Sequence, residues 1–209
     1  DLHSFPTRRS SDLVGVTITG GKMTDIYGGY TANAAAGKTT GNTVNIGDGT
    51  KALSAETTIS GTIHGGSDDN DITDNTLNIK ANATAKNIKN FEKLVFDLNQ
   101  HISTAHPMLS LNGGEKTAGL DWTKLEADLT KLTGDNVKTY EPLGQVLMRN
   151  GKGIEFNRGG HDTYNGPRDR IAGNFEFVLD TDNHTGTCNE VAIKGYADQI
   201  GRASCRERV

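Results

Sequence analysis

The richest group of side chains that could do chemistry lies in one Gly-rich stretch near the C-terminal end of the chain. It reads Arg158-Gly-Gly-His161-Asp162-Thr-Tyr164-Asn-Gly-Pro-Arg168-Asp169-Arg170. In an enzyme, His161 could act as a general base beside Asp162 or Asp169, with an arginine clamping a sugar acid. However, neighbours in one loop need not share a face, and Gly-Gly and Gly-Pro pairs are typical of turns. We therefore interpret this stretch as a structural loop and predict no catalytic residue.

The other reactive side chains form no recognisable motif. Asp68-Asp-Asn-Asp71 resembles a calcium loop only loosely, because it lacks the spaced ligands and the closing Glu, so an exposed loop is favoured. Cys188 has no adjacent base, and no nucleophile elbow, phosphate-binding loop or zinc-protease helix is present. We predict no metal and no cofactor. The remaining histidines are scattered singly: His64, His101, His106 and His184.

Six aromatic residues could instead contact a glycan or a protein at the surface. Packing in the core or at corners is the more ordinary role of such side chains. These residues are Tyr27, Tyr30, Trp122, Tyr140, Tyr164 and Tyr196.

The two ends of the chain mirror each other at the level of codons. Read forwards from His3 and backwards from Val209, ten successive facing pairs can be encoded by reverse-complementary codons, such as CAC against GTG. The implied DNA resembles a sequencing-library adapter read in opposite directions. We therefore predict that residues 1–13 and 200–209 are adapter-derived and unstructured, and exclude them. The alternative is a basic arm and tail that bind nucleic acid.

Composition and charge narrow the class of protein. The chain has 22 Lys and Arg against 26 Asp and Glu, for a net charge of −4. The excluded ends carry five Arg and three acidic residues, so 17 basic and 23 acidic residues remain, or −6. This balance argues against nucleic-acid binding. The 33% hydrophobic content is low for a compact enzyme but sufficient for a fold with a thin core. Disorder is the competing interpretation, mainly for residues 32–40 and 67–74.

The elements that must position these side chains are internal repeats. Ile26-Tyr-Gly-Gly-Tyr30 precedes Asn42-Thr-Val-Asn-Ile46, and Ile63-His-Gly-Gly-Ser67 precedes Asn75-Thr-Leu-Asn-Ile79. The Asn-Thr blocks are 33 residues apart and the Gly-Gly blocks 37. Periods of this size indicate stacked supersecondary units. Val16-Thr-Ile-Thr-Gly-Gly21 is a third, weaker copy.

The pattern inside each repeat predicts short strands. Aliphatic residues alternate with Thr or Asn, which places one apolar row inside and one polar row outside. The Gly-Gly pairs indicate corners that need positive φ or close backbone approach. We therefore predict an all-β fold, a β-solenoid with six inward aliphatics: Val16, Ile18, Val44, Ile46, Leu77 and Ile79. The asparagines could stack as ladders or merely face solvent: Asn42, Asn45, Asn75 and Asn78.

The strand pattern continues beyond the repeats. We divide the chain into the repeat region, residues 14–98, and further solenoid rungs with longer loops, residues 99–199. For Leu120–Leu125 we favour a strand over a short helix that Thr123 and Glu126 would cap. The other predicted strands are Phe91–Leu98, Met108–Leu111, Val137–Tyr140, Gln145–Met148, Ile154–Phe156, Phe175–Leu179 and a last rung at Val191–Tyr196.

Several of these motifs together resemble the passenger region of large bacterial autotransporter adhesins. They are Gly28-Gly-Tyr30, Gly41-Asn-Thr-Val-Asn-Ile46, Asn75-Thr-Leu-Asn-Ile79 and Lys86-Asn-Ile-Lys-Asn-Phe-Glu-Lys-Leu-Val-Phe96. The similarity extends, more weakly, to Pro107–Leu111, Leu120–Leu125 and Gly151–Phe156. It implies a right-handed parallel β-helix, export through the cell envelope, and attachment to the outer membrane by a C-terminal barrel that is not visible here.

The function expected from this resemblance is attachment without catalysis. The chain would be a fragment of a surface-displayed passenger that binds host cells, extracellular matrix, a glycan or other bacteria. The alternatives are a secreted polysaccharide lyase or glycosidase on a β-helix, which would use His161, and a structural spacer without a ligand.

Overall fold

The computed structural model describes residues 15–31, 39–131, 145–157, 175–179 and 187–195. Both predicted adapter-derived ends lie outside these residues, as do the stretch from Arg158 to Arg170 and the strand predicted at Val137–Tyr140. No described helix is long and apolar enough to cross a membrane.

Apart from one 3-10 turn at Trp122–Lys124, every described element is a β-strand. The strands are β1 (Gly15–Ile18), β2 (Lys22–Met23), β3 (Ile26–Tyr27), β4 (Thr43–Ile46), β5 (Thr58–Ile59), β6 (Thr62–His64), β7 (Thr76–Ile79), β8 (Ala83–Ala85), β9 (Asn87–Lys89), β10 (Lys93–Asp97), β11 (Leu109–Leu111), β12 (Thr117–Asp121), β13 (Leu125–Asp128), β14 (Gln145–Asn157), β15 (Phe175–Leu179) and β16 (Thr187–Gly195).

Most of these strands lie in parallel sheets whose order follows the repeats. A five-stranded sheet has the order β1-β4-β7-β10-β13, and a three-stranded sheet has the order β3-β6-β9. The strands β2 and β5 form a parallel pair, and β8 and β11 pair in parallel within a six-stranded sheet. We call the chain from one strand of the five-stranded sheet to the next a coil. This all-β arrangement of parallel sheets is consistent with a β-solenoid.

The five-stranded sheet confirms the predicted inner rows. Val16 pairs with Val44, which pairs with Leu77, and Ile18, Ile46 and Ile79 form the next row. Five of the six predicted residues are at most 4% exposed, and Val16, on the edge strand β1, is partly buried against the same core. Burial of one face explains why the register is fixed, because a slip of one residue would turn every aliphatic side chain outwards.

Two kinds of asparagine contact join successive coils. On the outer face, Asn78 donates from Nδ2 to Asn45 Oδ1 at 2.9 Å. At the corner before each strand, Asn42 donates from Nδ2 to Asn75 Oδ1 at 3.0 Å, and its backbone N–H donates to the same oxygen at 2.9 Å. Of the two alternatives left open, the structure shows contacts between asparagines of successive coils at all four positions, and Asn45 and Asn78 also face solvent in part.

The inner asparagine satisfies backbone groups that would otherwise be buried without partners. Asn75 is fully buried, and its Nδ2 donates to the backbone oxygens of Asp71 and Asn90, the latter at 3.0 Å. Asn42 likewise donates to Thr39 O at 2.8 Å. Because a buried carbonyl without a donor costs about 1–3 kcal/mol, these amides hold the corner closed.

The Gly-Gly pairs are required for close approach and not for positive φ. A Cβ on Gly28 would lie 2.8 Å from Gly65 O, and one on Gly65 would lie 2.1 Å from Asn90 O. Neither glycine has positive φ, whereas Asn90, at the same position of the third coil, has a φ of 62°. The segment Val16–Gly21, the third copy in the sequence, differs from the Gly-Gly blocks, because its Gly21 has a φ of 107°. Since Val16 pairs with Val44, this segment repeats the Asn-Thr block and not the Gly-Gly block.

The later coils are joined by charged pairs. Lys93 Nζ lies 2.5 Å from Glu126 Oε1, and Lys116 Nζ lies 2.6 Å from Glu155 Oε1. An exposed pair such as Lys116–Glu155 stabilises a fold by about 1 kcal/mol or less, whereas the Glu126 carboxylate is nearly buried. Three further pairs are Lys124–Glu92, Lys131–Asp97 and Arg149–Glu190.

Two predicted segments differ from the structure. Leu120–Leu125 is not one strand, because the 3-10 turn at Trp122–Lys124 separates β12 from β13, and Asp121 caps that turn by accepting from Thr123 N. The last rung predicted at Val191–Tyr196 lies, as far as Gly195, in β16, which pairs antiparallel with both β14 and β15. Hydrophobic alternation predicts a strand but carries no information about its direction.

The inner asparagine gives a matched stability test. We expect Asn75→Ala to lower the free energy of unfolding by about 3 kcal/mol, because it leaves several buried partners unsatisfied. Asn78→Ala, three residues along the chain, should lower it by less than about 1 kcal/mol, because its neighbours are partly hydrated. Urea unfolding of both variants measures the difference. Equal losses would contradict the role assigned to the corner.

Candidate functional site

Of the residues first considered for chemistry, those from Arg158 to Arg170 lie outside the described residues. The interpretation of that stretch as a structural loop therefore stays a prediction. His184 also lies outside. Among the described residues, no group of three or more His, Cys, Asp or Glu side chains is placed to hold a metal ion.

The acidic stretch at Asp68–Asp71 forms a loop that is only partly exposed. Asp69 and Asn70 are exposed, but Asp71 is 3% exposed, and its Oδ2 accepts from the Thr39 hydroxyl at 2.6 Å and from Thr39 N at 2.9 Å. Asp68 accepts from Asn70 N at 3.0 Å. The carboxylate of Asp71 thus ties one corner to the loop of the preceding coil.

An aromatic platform lies on the outer face of the three-stranded sheet. The rings of Tyr27 and His64 are stacked, with centroids 4.5 Å apart and planes 10° apart. Tyr30 meets Tyr27 edge to face, with centroids 5.3 Å apart and planes 72° apart. Tyr30 is 58% exposed, the one large hydrophobic side chain among the described residues that is so exposed. We call Tyr27, Tyr30 and His64 the aromatic platform.

The register of the sheet creates this platform. Ile26, Ile63 and Ile88 pair in one row and are buried, so the next residue of each strand faces outwards. That outward row consists of Tyr27, His64 and Lys89 in successive coils. Stacked and edge-to-face ring pairs at this separation each contribute about 0.5–1.5 kcal/mol beyond their burial.

Charged groups of both signs surround the platform. Asp25 accepts from Thr62 N at 2.7 Å, which fixes its carboxylate at the corner beside His64. Burial lowers the pKa of His64; Asp25 opposes that shift, Lys89 adds to it, and Asp69 opposes it. Burial also raises the pKa of Tyr27, and Asp25 acts in the same direction. Both rings are therefore favoured in their neutral forms.

The platform combines aromatic rings with polar groups at its margin. The side chains are flat, partly exposed and held by strands, and a nearby carboxylate and ammonium provide polar contacts at the margin. Tyr rings combine an apolar face with a hydroxyl, which suits ligands that are apolar on one side and polar at the edge. Of the two roles left open for the aromatic residues, Tyr30 is exposed at the surface, whereas Tyr27 is partly buried in ring contacts at a corner.

Sequence reasoning missed His64, which was treated as an isolated histidine. The signal was present in the repeats, because Ile26-Tyr27-Gly28 and Ile63-His64-Gly65 are 37 residues apart and align position by position. In a parallel stack, aligned positions of successive repeats become neighbours in space. Aligning the repeats before assessing single residues would have placed His64 on Tyr27.

Comparison with known proteins gives no relative for this chain. No protein-family model, no curated protein and no solved structure matches it. We therefore infer its function from its own residues.

The platform should make stability depend on pH. Since the pKa of His64 is lower in the folded state than in the unfolded chain, whose value is about 6.5, the unfolded state binds more protons between these two pKa values. Stability is therefore fully present above about pH 6.5 and falls as the pH drops through the lower, folded pKa.

Replacing His64 by phenylalanine, whose ring does not titrate, isolates the contribution of His64 to the pH dependence of stability. We expect the melting temperature of His64→Phe to fall less than that of the wild type between about pH 7.5 and pH 5. Thermal unfolding at both pH values measures the difference, and an NMR titration of the His64 ring checks the direction of the pKa shift. Parallel pH profiles for the two proteins would contradict the assignment.

Proposed function

We propose that this chain is part of a surface-displayed bacterial autotransporter passenger, a right-handed parallel β-helix that binds a glycan without turning it over. The glycan would belong to host cells, extracellular matrix or other bacteria. The observation that carries the proposal is the aromatic platform, in which Tyr27 stacks on His64 and Tyr30 remains 58% exposed.

The chemistry of the platform suits a sugar. The C–H face of a pyranose ring can pack on the exposed ring of Tyr30, and the hydroxyls at the ring edge can reach polar neighbours. Asp25 and Lys89 stand at the margin of the platform, where they would accept from and donate to such hydroxyls. An aromatic anchor with polar groups at its rim is the usual anatomy of a binding surface.

The architecture also supports a role in display. Stacked repeats contact mainly their neighbours, so a chain of this kind makes a long surface from little core. A weak site repeated along such a surface, or on many copies at one cell surface, gains avidity from simultaneous contacts. Modest affinity at a single platform is therefore compatible with firm attachment.

The proposal predicts that the rings, and not the general surface, carry affinity. A glycan array identifies a ligand, and calorimetric titration then compares variants. Tyr30→Ala and Tyr27→Ala should each weaken binding by about tenfold, which corresponds to about 1.4 kcal/mol. Tyr27→Phe keeps the stacked ring and should stay within about threefold of the wild type.

A matched control and two outcomes decide the test. Thr43→Ala changes the outer face of the five-stranded sheet and should leave affinity unchanged. Wild-type affinity in both Tyr→Ala variants would contradict the platform, and binding to no glycan at all would favour a spacer. Release of shorter saccharides during incubation would favour an enzyme.

A further inference from the structure

A groove is lined by residues of β5, β8 and β11, strands that carry no residue of the aromatic platform. It lies between coils, and its volume of about 330 Å³ is at the lower end of the range of about 300–1,000 Å³ for small-molecule sites. Its lining comprises two walls and a floor. One wall contains Leu53, Ser54, Ala55 and Thr57, and the other contains His106 and Pro107. Thr84 and Ser110 lie on the floor between them.

The groove lies where no strand ladder joins β5 to β8. β5 pairs with β2, whereas β8 pairs with β11. A hydrogen bond from Lys86 N to Gly61 O, at 2.9 Å, joins β5 and β8 at their C-terminal ends. The opening therefore lies at their N-terminal ends, where both loops enter.

Both walls are held in place before any ligand binds. Asn82 Nδ2 donates to the backbone oxygens of Ser103, His106 and Pro107 at 3.0–3.2 Å, and Asn82 Oδ1 accepts from Ser103 N at 2.7 Å. Gln145 Nε2 donates to His106 O at 2.8 Å. On the other side, Leu53 packs against the core. A preformed wall lowers the entropy lost on binding.

The lining carries no permanently charged side chain in a chain that is 23% charged, and His106 is its one titratable group. No Asp, Glu, Lys or Arg is among its residues, which carry instead hydroxyl, amide and small apolar groups. Thr84 and Ser110 are register partners on adjacent strands, so their hydroxyls stand side by side on the floor. Such a surface offers hydrogen bonds from hydroxyl, amide and imidazole groups together with apolar contact, but no permanent charge to neutralise an ionic ligand.

The size of the groove argues against a peptide strand. β5 has two residues and β8 has three, so the edge available to an added strand is about 10 Å long at about 3.3 Å per residue. The bond between Lys86 and Gly61 closes one end of that edge.

We propose that this groove binds an uncharged oligosaccharide, through the hydroxyls of Thr84 and Ser110 and the apolar walls. This goes beyond the proposed function, because it concerns a separate face and does not depend on the aromatic platform.

Protein-observed NMR tests the groove with defined probes. Uncharged hexasaccharides of β-1,3-glucan, β-1,4-mannan and α-1,4-glucan would be titrated in parallel with oligogalacturonate and a heparin hexasaccharide. We expect at least one uncharged probe to shift the amide signals of Thr84, Ser110 and Leu53, and the charged probes to leave them unchanged. Shifts from the charged probes alone, or from none of the probes, would overturn the proposal. An extended peptide serves as a further probe, and shifts from that peptide alone would also overturn the proposal.

Variants separate this groove from the platform. Thr84→Trp fills the groove and should weaken binding of the active probe by about tenfold or more. Thr43→Trp adds the same ring to an outward threonine of the five-stranded sheet and should change affinity by less than about twofold. Tyr30→Ala should leave the groove shifts intact. If Tyr30→Ala removes the groove shifts, or if Thr84→Trp binds like the wild type, the groove is not the site.

Discussion

The contact between Asn42 and Asn75 is the constraint on which the coils depend. At this corner the chain turns while remaining packed against the coils on either side, so backbone carbonyls become buried where no strand can pair with them. The Asn75 amide supplies the missing donors to Asp71 and Asn90 and accepts both N–H groups offered by Asn42. Because the amide reaches only one register partner, it also specifies which residue of one coil lies over which residue of the next.

The aromatic platform is a consequence of that register. Once Val44 lies beside Leu77, the glycine corners approach closely enough for Gly28 N to donate to His64 O at 2.8 Å. A side chain at Gly28 or Gly65 would prevent this approach. In the outward row of the sheet, the neighbour of Tyr27 is then the residue one coil later, His64. The stacked pair of Tyr27 and His64 thus arises from backbone geometry, and Tyr30 is supplied by the chain that follows β3.

The sequence predicted the features that depend on local periodicity, and it failed where direction and neighbours matter. The alternation of apolar and polar residues predicted that Ile46 and Ile79 lie in the core, because the pleat of a strand imposes it. The 33-residue spacing indicated stacked coils, because the length of the repeat imposes it. The 3-10 turn at Trp122–Lys124 and the antiparallel course of β16 follow from tertiary contacts that no short window contains. His64 was overlooked for the same reason, since its partner is 37 residues away.

Residues one repeat apart are stacked in register, and the aromatic platform depends on this stacking. An NMR experiment that records nuclear Overhauser effects between side chains tests this claim most directly, with the Tyr27 and His64 rings assigned. Centroids 4.5 Å apart place ring protons of the two residues within the range of the effect, so we expect cross-peaks between them. Cross-peaks from Tyr27 only to residues nearby in the chain, with none to His64, would contradict the stacked register and the aromatic platform built on it.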